Sequence, residues 1–291
     1  MFLVTGATGG IGRRVVRSLR ERGMPVRAFV RLLSRYSELE HRGAEIFIGD
    51  LQDDRDIQKA CQGVRYIISA HGSDGNALAL DYHANIELID RAKEAGVQHF
   101  VFVSVLGADR GYEDAPVFKA KRAVEKYLQT SGIDYTILRP AGLASNLLPL
   151  AERFRQTGIY LLIGDGKNRT SIVSTDDLAQ IIVNSFMLPE ACNRTFSVGG
   201  AEILQRQDVP QILGKIFNIE PIIINPPLLT VDGFRTVAGL FNPSLQRGLG
   251  TFRTLLENEF FCSREEIAQL EEIYHLKMES LESFLRRYLA I

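Results

Sequence analysis

The sequence predicts an α/β fold: a doubly wound parallel sheet with helices on both faces, followed by a smaller C-terminal lobe. Three observations carry this expectation. Short apolar runs alternate with amphipathic ones up to Pro140. The short runs are apolar at nearly every position, as strands covered on both faces must be. A stretch poor in side chain, "TGATGGIG" at 5–12, stands between the first strand and the first helix. Glycine is used there because the backbone must bend sharply or be approached closely.

The elements follow in order. "MFLVT" (1–5) has the character of a buried strand, and Ile11, Val15, Val16 and Leu19 repeat at helical spacing through 11–22. "PVRAFV" (25–30) and "AEIFIG" (44–49) are the next strands. "DDRDIQKACQG" (53–63) suits a short helix before the strand "VRYIISA" (64–70). A helix over 81–95 ends at Gly96, where a glycine cap is expected. Strand "HFVFVSV" (99–105), a helix over 116–131 and strand "DYTILR" (134–139) complete the βα alternation. After Pro140 the rhythm loosens. A helix near 147–156, the run "GIYLLIGDG", a helix starting near Thr175, and late strands at 194–200 and 219–227 precede helices broken by glycine and proline. The expected division is 1–145 for the sheet domain and 146–291 for a lobe packed on it and partly completing it.

Composition narrows the function. With 45% hydrophobic residues the chain can bury a sizeable core. A formal net charge of -1 argues against a nucleic-acid binder working by bulk electrostatics. Cys61, Cys192 and Cys262 lie far apart, so they signal neither a disulfide framework nor a clustered metal site, and a reducing compartment is expected. The histidines at 41, 71, 83, 99 and 275 lack metal-ligand spacing. The first residues already form a strand, which leaves no room for a leader, and no apolar run has the length of a membrane helix. A soluble, cytoplasmic protein with no transmembrane segment is the expectation.

Between a strand and a helix, Gly6, Gly9 and Gly12 become a dinucleotide fingerprint. The glycines admit a pyrophosphate, and the helix N-terminus offers unpaired N–H groups and a partial positive charge. This G-x-x-G-x-x-G spacing behind Thr5 resembles the short-chain dehydrogenase/reductase superfamily, particularly its atypical branch. Further stretches match that branch in order: "GDLQD" (49–53), "EAGVQHFVFVSVLGAD" (94–109), "VEKYLQTSGIDYTILRPAG" (124–142), "STDDLAQIIVNSF" (174–186) and "NRTFSVGG" (193–200). The third of these is close to the corresponding segment of NmrA-like proteins. The C-terminal helices look most like chloroplast and cyanobacterial NmrA-like proteins linked to photosystem assembly, which allows a place at a photosynthetic membrane surface.

The resemblance implies a Rossmann-type domain with a nicotinamide dinucleotide as partner. The expected cofactor contacts are Gly6, Thr8, Gly9, Gly10, Ile11 and Gly12 in the first turn, with Asp50 and Leu51 in the segment that touches the adenine. Ser69, Ala70, Ser104, Lys121 and Pro140 follow further along. NAD-preferring folds place an acidic residue at the end of the second strand. Here "PVRAFVR" ends in Arg31, with Ser34 and Arg35 behind it, no carboxylate before Glu38, and Arg13 adding charge nearby. A guanidinium suits the 2′-phosphate of NADP. NADP(H) is therefore preferred, with NAD(H) as the alternative and the two arginines facing only water as the bland reading.

The superfamily's catalytic pattern breaks. Aligning "FKAKRAVEKYLQTSG" puts the family lysine at Lys121 and its tyrosine at Val117, which cannot transfer a proton. Tyr112, nine residues before Lys121, would need a bend to reach the site, and Tyr82 on the preceding helix is another candidate without spacing support. Ser104 and Lys121 remain as the catalytic candidates the resemblance implies, with Lys121 expected to contact the nicotinamide ribose. Neighbouring charges and an i+4 pairing with Glu125 offer a structural alternative for Lys121. His71, at the mouth behind the fourth strand, is expected to solvate a loop.

In 227–261, Leu229, Phe234, Val237, Leu240 and Phe241 mark an apolar helical face. It closes the core of the second lobe, covers a substrate or docks a protein partner. Two functions survive: a cofactor-dependent scaffold, assembly factor or redox sensor, and an NADPH-dependent reductase of a small apolar carbonyl, enone or quinone. Oligomeric state and substrate stay open.

Overall fold

Leu3, Val4 and Thr5 are completely enclosed, because the strand that carries them lies inside a seven-stranded sheet. The structure is a computed structural model that describes residues 1–72, 76–112, 115–241 and 243–290, leaving aside the side chains of 234, 237–241, 243–245 and 247. Strands and helices alternate as β1 (Phe2–Thr5), α1 (Gly10–Glu21), β2 (Val26–Val30), α2 (Ser37–His41), β3 (Glu45–Ile48) and α3 (Asp54–Cys61). There follow β4 (Tyr66–Ser69), α4 (Ala84–Glu94), β5 (His99–Val103), α5 (Pro116–Thr130) and β6 (Asp134–Pro140). Later elements are α6 (Leu148–Thr157), β7 (Ile159–Leu161), β8 (Arg169–Thr170), α7 (Thr175–Asn184), β9 (Arg194–Val198) and β10 (Leu204–Gln205). The chain ends with α8 (Asp208–Phe217), β11 (Ile222–Ile224), α9 (Leu229–Phe241), α10 (Pro243–Glu257), α11 (Arg264–Tyr274) and α12 (Leu281–Leu289).

The sheet runs β3-β2-β1-β4-β5-β6-β9. Neighbours from β3 to β6 pair in parallel. Its order reverses between β1 and β4, the switch point beside which ligands bind in open α/β sheets. Thr5 stands opposite Ser69 across that point. Phe100, Phe102, Ile67, Leu88, Val124 and Ile137 meet in the core of this layer. At the edge, β3 is only half-buried, and Glu45 uses its exposed face to accept from Arg27 Nε at 2.6 Å across the strand pair. The continuous apolar character of "AEIFIG" was thus a weaker sign of burial than in the central strands.

Two units divide the chain differently from a single cut after 145. One contains Met1–Gly111, Val117–Arg139 and Thr175–Phe196; the other contains Tyr112–Pro116, Pro140–Ser174 and Ser197–Ile291. The return of α7 to the first unit has a charge basis. Asp176 lies 2.9 Å from Arg14 and 3.2 Å from Arg17 on α1, and Arg22 donates to Asn184 at 2.7 Å.

In the second unit Phe154, Leu213, Ile216, Phe284 and Leu285 form a core of their own. The apolar runs at 158–166 and 219–227 pair in parallel with each other, Ile223 opposite Tyr160, rather than joining the large sheet. Helix α9 forms where the apolar stretch was expected, but the side chains of Phe234, Val237, Leu240 and Phe241 lie outside the described residues. Among the described residues no helix is long and apolar enough to cross a membrane.

Candidate functional site

The first turn between β1 and α1 is held by its glycines in two different ways. Gly6 has φ +69°, and a Cβ there would lie 2.7 Å from the backbone of Ala70 and His71. A Cβ on Gly12 would lie 2.2 Å from the Gly6 carbonyl oxygen, so these two glycines let backbone pack on backbone. Gly9 is different. A Cβ there would meet only the Gly6 oxygen at 3.2 Å and otherwise point into open space. Gly9 is also the N-cap of α1, supplies no side-chain cap, and is followed by no acidic residue in the first turn. The first N–H groups and the positive end of the helix are therefore left for an external anion.

A cavity of about 520 Å³ opens over this turn. Of the residues expected at a cofactor, Gly6, Thr8, Gly9, Arg31, Asp50, Leu51 and Ala70 line it. Phe29, Val30, Gln52, His71, Gly72 and Leu80 also line it and were not singled out as contacts. Gln52 lay within the quoted "GDLQD" segment; Phe29, Val30, His71 and Gly72 lie at or just past the ends of β2 and β4, where placement depends on the sheet order, and Leu80 lies in the helical turn that follows β4. Gly10 is exposed at the start of α1, Ile11 and Gly12 are buried behind the turn, and Pro140 is buried at the end of β6.

At the end of β2 the basic residues separate by role. Arg13 is not free: it donates to the carbonyls of Thr8 at 2.8 Å and Arg35 at 2.6 Å, and pairs with Glu38 at 3.0 Å. It ties the glycine turn to the loop after β2. Glu38, the first carboxylate after the strand, is held by Arg13 and Arg42, whose hydrogen bonds and charges bring its pKa below the ordinary value against a desolvation that raises it. Arg31 and Arg35 are exposed, and among the described residues no hydrogen bond or ion pair engages either guanidinium.

Beneath the cavity lies a buried polar cluster. His71 does not solvate a loop. Thr5 Oγ1 is 2.8 Å from its Nδ1, and the Leu80 carbonyl is 3.0 Å from its Nε2. A neutral ring with the proton on Nε2 satisfies both, the Thr5 hydroxyl donating and the Leu80 oxygen accepting. Burial, with the Lys121 charge added, pushes the His71 pKa down to about 4. Ser69, expected at the cofactor, instead donates to Asn85 Oδ1 at 2.6 Å.

Asn85 in turn donates to the carbonyls of Leu80 at 3.2 Å and Asp81 at 3.0 Å. Those carbonyls would normally serve an α-helical ladder. Their capture accounts for the π-helical turn over Ala77–His83, where a plain helix from 81 was expected.

Lys121 and Ser104 stand in separate networks. Lys121 Nζ donates to the carbonyls of His71 and Val103, each at 3.2 Å, and lies 3.3 Å from Asp81 Oδ1. An ammonium has three hydrogens, and three acceptors surround this one. Burial holds its pKa below the ordinary lysine value, with the Asp81 and Glu125 charges opposing that shift. Lys121 does not form its ion pair with Glu125, one turn away. Glu125 accepts from Ser104 Oγ at 2.6 Å and from Arg139 Nε and Nη2 at 2.8 and 2.7 Å, and pairs with Arg122 at 2.9 Å.

Val117, half-buried, occupies the place aligned with the family tyrosine. Tyr112 packs its ring 5.8 Å from Phe260, and Tyr82 packs on the core of the first unit. Sequence reasoning missed Asp81, whose signal was a lone carboxylate inside the apolar run "ALALDYHA".

Fold and turn together define a dinucleotide-binding α/β protein. Residues 6–189 match the NAD(P)H-binding family, and the chain belongs to it. Among its relatives is the photosystem II assembly factor Ycf39 of Cyanophora paradoxa, 28% identical over 299 residues, spanning 99% of this chain and 91% of that protein. The NAD(P)H azoreductase of Xenophilus azovorans is 33% identical over 218 residues, 73% of this chain and 72% of that one. The fold matches that of the NADPH-dependent quinone oxidoreductase QOR2 of Escherichia coli, solved with NADPH, at a TM-score of 0.81 and 20% identity over 99% of this chain and 100% of that one.

Proposed function

We propose that the chain binds NADP(H) along the cavity over the glycine turn and works as a cofactor-dependent scaffold, assembly factor or redox sensor. The observation that carries the cofactor preference is the division of labour after β2: Glu38 is occupied by Arg13 and Arg42, while Arg31 and Arg35 keep guanidiniums without a carboxylate partner. Such a pair fits a 2′-phosphate, whereas a bare ribose diol is recognised by a free carboxylate that accepts from it. Gly9 leaves room for the pyrophosphate, and α1 supplies N–H groups to it. Titration calorimetry should give NADPH roughly ten- to hundredfold tighter binding than NADH, since one charge-assisted contact contributes about 1.5–3 kcal/mol. Arg31→Ala should remove most of that ratio while sparing NADH. Equal affinities in the parent protein would end the NADP assignment.

The scaffold reading rests on the proton route. A bound nicotinamide supplies hydride, but Val117 has no proton to give, and Lys121 already donates to two carbonyls and is paired by charge with Asp81. Likeness to Ycf39 over almost the whole chain supports an assembly role, at the surface of a photosynthetic membrane. The second reading, reduction of a small apolar carbonyl, enone or quinone, is supported by the azoreductase likeness and by the buried Asp81–Lys121 pair close under the cavity floor. General acid catalysis contributes about 10²–10⁴-fold. NADPH oxidation against quinones, enones and aldehydes should therefore be slow or undetectable, and Lys121→Ala should change it little. Rapid turnover abolished by Lys121→Ala would make the protein a reductase.

A further inference from the structure

The second unit has a cavity of its own, about 400 Å³, built between β7, β8 and the end of α10. That volume lies in the range of small-molecule sites, about 300–1,000 Å³. Its walls are mostly apolar, and four of its apolar lining residues are exposed: Leu161 at 57%, Leu150 at 47%, Phe252 at 44% and Leu255 at 38%. Two arginines reach it, in unlike states. Arg169 is neutralised by Glu259, with Nε and Nη2 at 2.8 and 2.7 Å from the two carboxylate oxygens, and its guanidinium stacks 4.0 Å over Phe261.

Arg206 is half-buried and donates to the Leu256 carbonyl at 2.9 Å, and among the described residues no carboxylate lies within ion-pair distance of it. Asp165 acts on it only at longer range, and burial lowers its pKa. A desolvated cation without a counter-charge is costly, and a ligand that brings the anion removes that cost. Tyr160, in the same cavity, is kept protonated by burial that pushes its pKa up, so its hydroxyl remains a donor.

We infer that this cavity binds an amphipathic monocarboxylate, its hydrocarbon body against the leucine and phenylalanine walls and its carboxylate on Arg206 and Tyr160. This site is independent of the nucleotide reading, because every residue lining it belongs to the second unit. The test is titration calorimetry of the full chain, without nucleotide, against decanoate, decanol and acetate.

Decanoate should bind one to one, at least tenfold tighter than decanol, and acetate should not bind. Arg206→Gln should lower decanoate affinity at least tenfold and leave decanol where it was. Equal affinities for decanoate and decanol, an unchanged decanoate affinity in Arg206→Gln, or no saturable one-to-one binding would each overturn the assignment. If Arg206→Gln does not fold, Leu161→Asp at the exposed rim takes its place. Both ligands lose apolar contact there, but the new negative charge should weaken decanoate at least tenfold more than decanol, and equal losses for both would be fatal.

Discussion

Helix α5 carries two buried charges one turn apart, and they are satisfied very differently. Glu125 is wholly enclosed and meets a hydroxyl, a two-pronged guanidinium and a second arginine. It fastens Ser104, just past β5, to Arg139 near the end of β6. Lys121 meets two backbone carbonyls and one carboxylate, Asp81, which is 1% exposed and whose two oxygens receive no hydrogen bond. The first cluster is complete, as a structural lock must be in a low dielectric. The second is held by charge with poor hydrogen bonding, directly beneath residues that line the cavity over the glycine turn. The complete cluster ties β5 to β6, and the under-satisfied one is the costlier of the two to keep buried.

The largest expected effect separates the two clusters by removing one charge from each. Glu125→Gln leaves Arg122 without a carboxylate and Arg139 with Asp109 alone, and an arginine cannot shed its proton to escape. Urea denaturation at pH 7 should show a loss of about 3–5 kcal/mol, the usual cost of breaking a buried pair. Lys121→Met leaves Asp81 without its counter-charge, but breaks no hydrogen bond to that carboxylate. Its loss should be smaller, about 2–3 kcal/mol at pH 7, set by the two carbonyls left short of a donor and the unpaired carboxylate. Equal losses would break the comparison.

The same contrast explains what was legible in the sequence. The βα alternation was readable because central strands covered on both faces are continuous apolar runs, as Phe100, Val101 and Phe102 are. The glycine turn was readable because it lies between the first strand and helix. The partners of α5 were not. Helical spacing suggested Lys121 with Glu125, yet burial directs each to a different element: Asp81 lies before α4 and Arg139 at the end of β6. Spacing along one helix describes neighbours on an exposed face, whereas a buried charge takes whichever counter-charge the fold delivers. His71 was misjudged for the same reason, since its partners Thr5 and Leu80 come together only through the order of β1 and β4. The second unit was least legible, because its short strands pair with one another across long intervals.

The smallest expected effect uses His71 as a gauge of the Lys121 charge. Its pKa of about 4 in the fold lies below the ordinary 6.5, first because of burial and then because of Lys121. Between those values the unfolded chain binds a proton that the native state refuses. The stability is therefore fully present above pH 6.5 and is lost as the pH falls toward 4, by about 3 kcal/mol in all. His99, also lowered by burial, adds a loss of the same sign, so the His71 ring must be followed individually, by NMR with its resonance assigned through His71→Gln. In Lys121→Met the burial remains and the charge is gone. The His71 pKa should then rise by about half a unit to one unit, worth about 1 kcal/mol, while staying below 6.5. A pKa that does not move would mean that the Lys121 charge is already cancelled by Asp81 at the ring, and the second cluster would be as complete, electrostatically, as the first.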